Sequence, residues 1–260
     1  MNDPHLVSVT YRLHHSTGIA FNDPPPLSGT GPGFDYRLES GKLTLEMTDH
    51  FTNVDDAKVV IEPWLRAWEI DQNLKARNKT IWFQFDTSHV VDRAPTPGRL
   101  QAAVGLATSV EMACQLTGTA RYRAYPTPPA GFAASSQVEV MWRRFQQFRE
   151  GKEPLLSMAY ACLSFLESTT AQKQGSRRAV CSKYAIDEGV RTKLGDLVSE
   201  KGSPEEARKL DHGATGVPLS GAEKEWVEQV ILALIRRKAE YDHDPSRLFP
   251  QITLTDFPHI

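Results

Sequence analysis

The chain lacks most of the features that announce a biochemical class. It has only three cysteines, Cys114, Cys162 and Cys181, an odd number, far apart and without a CxxC pair. That spacing excludes a disulfide framework and a zinc ribbon, and the expectation is reduced, mostly buried thiols. Neither sign of charge is in excess. Thirty Lys and Arg against 32 Asp and Glu leave a formal charge of -2, so no global basic field exists and nucleic-acid binding would need a local patch. No apolar run approaches the roughly 20 residues of a membrane span. The opening MNDPHLVSV has neither the basic start nor the apolar core of an export signal. A cytoplasmic protein without membrane contact is therefore expected. No GxSxG elbow, HExxH helix or Gly-rich phosphate loop occurs. His14 and His15 with Asp23 and Asp35 fit no known ligand spacing, so no metal and no cofactor are expected.

What is present is an ordinary globular composition, 40% apolar and 24% charged over 260 residues, enough for one large domain or two modest ones. The first half punctuates itself like a β-rich domain. LVSVTYRL alternates, FDYRLES and KLTLEM flank a serine-glycine turn, and KVVIE and IWFQFD read as further strands. Between the last two, EPWLRAWEIDQNLKAR predicts a helix starting at Pro63, with Trp64, Leu65 and Trp68 on one face. The segment from Leu100 to Tyr125 reads mostly as strands. PTPPAGFAASS, Pro126 to Ser136, concentrates proline and small residues, and behind it the apolar period changes from two to about three and a half.

Four helices are read behind that boundary. The first, Gln137 to Arg149, carries Val138, Met141, Trp142, Phe145 and Phe148 on one stripe. The second opens at Pro154 and is apolar nearly all round, so it should be the central helix. The third is defined by Ile186, Val190, Leu194, Leu197 and Val198 and stops near Gly202. The last has a capping box, Ser220 and Glu223, and a stop at Pro245. The reading is an α+β protein with a β-rich N-terminal domain (1–130), an all-helical domain of four or five helices (135–245) and an extended tail (246–260).

The last helix ends in charge: WVEQVILALIRRKAEYDH, Trp226 to His243. At 100° per residue from Val227, Arg236 falls near 180° and His243 near 160°, together and opposite the apolar stripe. Glu225, Gln229 and Leu232 share that strip, and Arg237 sits on the flank.

An arginine followed, after four to six residues, by a histidine late in a small helical bundle resembles the signature of HEPN domains. Arg236 with six intervening residues, or Arg237 with five, matches that spacing, and the resemblance covers roughly Ser135 to Pro245. It implies a metal-independent endoribonuclease of a bacterial toxin or anti-phage module, with RNA as substrate and a homodimer or protein partner. His243 would transfer protons and Arg236 or Arg237 would hold phosphate. The β-rich part would then be a sensor or regulator.

Two other readings stand beside it. Basic residues are favoured in the last turn of any helix, where they complement the dipole and cap carbonyls, which would make RRKAEYDH a solvated terminus. A HEPN-like bundle can also be a non-catalytic interaction or nucleic-acid-binding subunit. Arg143, Arg144, Arg177 and Arg178 form a locally basic region able to track a phosphate backbone, and its default reading is a solvated face.

Overall fold

The computed structural model describes residues 2–76, 80–94, 120–168, 176–201 and 217–260, and the chain divides into two compact units, Met1–Ala130 and Gly131–Ile260. The architecture is α+β: a sheet with one helix, then a helical unit.

In the first unit, β1 (Pro4–His15), β2 (Ile19–Phe21), β3 (Leu27–Gly31), β4 (Phe34–Glu39) and β5 (Lys42–Met47) precede α1 (Val54–Ala76), and β6 (Ile81–Asp92) and β7 (Ala120–Tyr122) follow it. Five strands make one sheet in the order β3-β4-β5-β1-β6, with every adjacent pair antiparallel. β2 and β7 pair in parallel. The alternation seen in the sequence sets the register: Tyr36 and Val9 both lie opposite Leu45, and Leu38 and Tyr11 opposite Leu43. One apolar row from each of these three strands, β4, β5 and β1, therefore faces the same way. Ser40 and Gly41 turn β4 into β5 with φ of 49° and 71°, the two left-handed residues that a two-residue hairpin of matching twist demands.

α1 covers that apolar row with Ala57, Ile61, Leu65 and Trp68. Its length corrects two expectations. KVVIE is the first half of this helix rather than a strand, and Pro63 lies inside it rather than at its start. The β-branched run reads as strand by composition, but Ala57, Ile61, Leu65 and Trp68 continue at helical spacing straight through the proline. Asn53 caps the start by accepting from the Asp56 backbone N–H at 2.9 Å. Pro63 removes the hydrogen bond owed to the carbonyl of Val59; both residues are exposed, so solvent can serve that carbonyl. At its far end α1 also closes the sheet edge. Glu69 accepts from the Phe83 N–H at 2.7 Å, and Asn73 both accepts from the Ile81 N–H and donates to its carbonyl, which blunts the outer strand. Of the expected strands between Leu100 and Tyr125, residues 100–119 lie outside the described residues, and β7 covers Ala120–Tyr122.

The second unit contains α2 (Ser136–Arg149), α3 (Leu155–Ser168), α4 (Ser176–Tyr184), α5 (Glu188–Glu200), α6 (Gly221–His243) and a 3-10 turn at Leu254–Asp256. α2 is capped by Ser135 and buries Val138, Met141, Trp142 and Phe145. α3 buries Leu156, Met158, Ala159, Cys162, Leu163 and Leu166. The central place expected for α3 is shared with α6, since each packs against all four other helices. α4 is an addition to the four helices read from the sequence. Asp187 caps α5 by accepting from the Gly189 N–H at 2.8 Å, so Ile186 stands just before the helix rather than in it. Ile186 instead bridges Ile252 of the C-terminal segment, with Asp187 N–H donating to the Ile252 carbonyl and Ile252 N–H to that of Ala185, both at 2.8 Å. Phe257 then closes edge-on over Trp226. Among the described residues, no helix is long and apolar enough to cross a membrane.

Candidate functional site

α6 is positioned by sequence-local chemistry at both ends. At its start the Ser220 hydroxyl accepts from the Glu223 N–H at 3.2 Å, and the Glu223 carboxylate accepts from the Ser220 N–H at 2.8 Å. Lys201 adds an ion pair to Glu223 at 2.5 Å. Lys201 first, and the Ser220 N–H next, hold that carboxyl below the usual range. At the other end the Asp244 N–H donates to Glu240 O at 3.1 Å, and Pro245 ends the ladder.

Between these ends, burial divides the helix by azimuth. Trp226, Val227, Val230, Ile231, Leu234, Ile235, Arg237, Lys238 and Ala239 are buried. The strip left to solvent holds Glu225, Gln229, Leu232, Ala233, Arg236, Glu240 and His243, the first and last exposed and the others half-buried. Arg236 and His243 thus share the outward strip, seven residues and about 10 Å of helix rise apart. Leu232, expected on this strip, is half-buried rather than exposed.

Arg237 is elsewhere and otherwise engaged. Its Nη1 donates to the carbonyls of Tyr184 at 2.6 Å and Ala185 at 3.2 Å, and its Nη2 to that of Pro250 at 2.8 Å. Nε lies 3.5 Å from Glu240, and the guanidinium sits 5.1 Å from the Phe249 ring centroid. Burial is the leading cause that lowers its pKa. The expectation that Arg237 holds phosphate is therefore corrected: its fork satisfies the carbonyls at the end of α4 and ties down the C-terminal segment. Lys238, one residue on, is buried against Asp242, whose carboxylate also accepts from the Ser135 hydroxyl. That network joins the cap of α2 to the last turn of α6. Lys183 lies over the rings of Tyr184 and Tyr241 at 5.2 and 5.1 Å, with its pKa lowered by burial first and by Lys238 second.

The basic region expected for a phosphate backbone is partly neutralised. Arg144 is bound to Glu153 through Nε at 3.0 Å, and Arg149 to Glu228 at 2.9 Å. Arg143 and Arg177 are exposed. Arg178 pairs with Glu188 at 2.9 Å on the open surface, a pair worth little that a phosphate can displace. Trp142 and Phe145 are buried in the core, so no base stacks on them.

Other reactive groups lead away from the strip. Burial pushes the Cys162 thiol up to about 12 and raises that of Cys181, so neither is a poised nucleophile; Cys114 lies outside the described residues. His14 stacks on Trp82 at 5.5 Å and His15 meets Phe21 edge-on. His5 and His50 stack with their Nδ1 atoms 3.0 Å apart; burial is the first cause that lowers the His5 pKa, followed by Arg93 and His50. Among the described residues no group of three or more His, Cys, Asp or Glu is placed to hold a metal ion.

Two features of the helix end carried no clear sequence signal. The strap from Gly131 to Ser135 runs along the last turns of α6, with the Ala133 N–H donating to Ala239 O at 3.0 Å. Arg247, beyond Pro245, returns toward His243: a Cβ placed on Gly131 would stand 3.2 Å from Arg247 Nη1 and 3.9 Å from His243 Cδ2. Compared with known proteins, the chain matches no protein-family model, no curated protein and no solved structure.

Proposed function

We propose that the helical unit is a HEPN-like endoribonuclease that cleaves RNA without a metal, in a cytoplasmic toxin or anti-phage module regulated by the sheet unit. The observation that carries this reading is the placement of Arg236 and His243 on the one outward strip of α6, while Arg237 and Lys238 are spent inside. In the reaction His243 takes the proton of a ribose 2′-hydroxyl, and the 2′-oxygen bonds to phosphorus. The 5′-oxygen leaves with a proton, giving a 2′,3′-cyclic phosphate and a 5′-hydroxyl. Arg236 neutralises the charge that builds on the phosphoryl oxygens. One bundle supplies one such Arg–His pair, so the acid and the base come from two copies that meet through this strip.

Half-buried Leu232 and Ala233 on the strip favour a second reading, a non-catalytic HEPN-like interaction or nucleic-acid-binding subunit that uses the same face for a partner. RNA incubated with the purified chain in EDTA separates the two. Fragments ending in 2′,3′-cyclic phosphate support the nuclease. Intact RNA, together with a monomer by light scattering at tens of micromolar, sinks the composite site.

A further inference from the structure

One cation that meets His243 over Gly131 is not contained in the arginine–histidine spacing. Arg247 lies four residues beyond His243, past the proline that ends α6, and two contacts set its approach. The Arg247 N–H donates to Asp244 O at 3.3 Å, closing the turn. The Asp244 carboxylate is occupied by Ser246, accepting from its N–H at 3.0 Å and its hydroxyl at 2.6 Å, and stays ionised with its pKa lowered first by that hydroxyl. The Arg247 guanidinium lies 5.7 Å from the centroid of Phe249, whose ring Arg237 also contacts. Arg247 is thus directed to the space above Gly131, where the His243 ring also arrives. A Cβ on residue 131 would stand 3.2 Å from Arg247 Nη1, close enough that the arginine end would have to shift.

We propose that His243 and Arg247, which meet over Gly131, form a binding site for one phosphate ester group, with Arg247 as its principal anchor. The inference rests on the nuclease reading for its biological meaning and names a second group, beside Arg236, that holds the reacting phosphate. A guanidinium suits the role, because its planar fork meets two phosphoryl oxygens at once and its charge does not titrate. His243 beside it is placed to exchange a proton with an ester oxygen of the same group.

The test uses the full chain and a nucleoside 3′-monophosphate in EDTA, following the His243 ring signals by NMR, assigned with His243→Gln. In the wild type the His243 signals shift on titration. Arg247→Ala weakens the apparent affinity about tenfold or more, the loss expected for one charge-assisted contact, and Arg247→Lys recovers part of it. Unmoved His243 signals in the wild type overturn the site, as does Arg247→Ala with unchanged affinity and an unchanged unfolding temperature. Binding at His243 without any RNA cleavage keeps this site and removes the nuclease. Cleavage that Arg247→Ala leaves untouched, with unchanged nucleotide affinity, keeps the nuclease and removes this site.

Discussion

Arg236 and Arg237 are adjacent in the chain, yet α6 sends them into different physical regimes. The inner face of its last two turns is a polar scaffold: Arg237 donates to three backbone carbonyls and Lys238 is locked to Asp242. The outer face offers a half-buried arginine and an exposed histidine. A cluster of charges at a helix end therefore says little until the azimuth is known. A shift of 100° separates a side chain on the solvent-facing strip from one that holds the fold together.

The largest expected effect tests the inner face. Arg237→Ala removes the guanidinium from the carbonyls of Tyr184 and Pro250, leaves Ala185 only its bond from the Ile252 N–H, and should cost about 3 to 5 kcal/mol, the range for removing one partner of a buried charged network. Thermal unfolding measures it, and faster proteolysis of the segment around Pro250 should accompany it. A loss under about 1 kcal/mol would show that the clamp is dispensable and would blur the distinction between the faces. Asp242→Ala comes next, about 2 to 4 kcal/mol, since it leaves Lys238 buried without its carboxylate. Adding Lys238→Met should return part of that loss; an additive double variant would contradict the pairing. Ser220→Ala should cost about 1 kcal/mol by removing the N-cap of α6, and no shift would mean that the capping box contributes nothing. Smallest is His243→Ala, within about 0.3 to 1 kcal/mol, the scale of a cation near a helix C-terminus.

Much of this architecture was legible because it is written locally. The sheet strands alternate, Ser220 and Glu223 form their cap three residues apart, and α2, α3 and α6 bury stripes at helical spacing. α1 was only half legible: KVVIE is rich in β-branched residues, and the sheet surface beneath Ile61 outweighed that propensity. SRRAVCSKY was missed as α4 because only Val180, Cys181 and Tyr184 of the stretch are buried, too few apolar positions to show a period. The wheel did place Arg236 and His243 together. It could not show that Arg237 is consumed, because two of its acceptors lie more than 50 residues upstream in sequence. Arg247 escaped for a related reason: its position depends on the turn after Pro245 and on the absent side chain of Gly131, neither of which has a period.

The most direct test of the account pairs activity with stability for His243→Ala. The wild type should cleave RNA in EDTA to fragments ending in 2′,3′-cyclic phosphate. The variant should lose that cleavage while its unfolding temperature stays within a few degrees of the wild type. A His243→Ala protein that cleaves RNA as fast as the wild type would make the outer strip of α6 an ordinary helix surface and contradict the assignment.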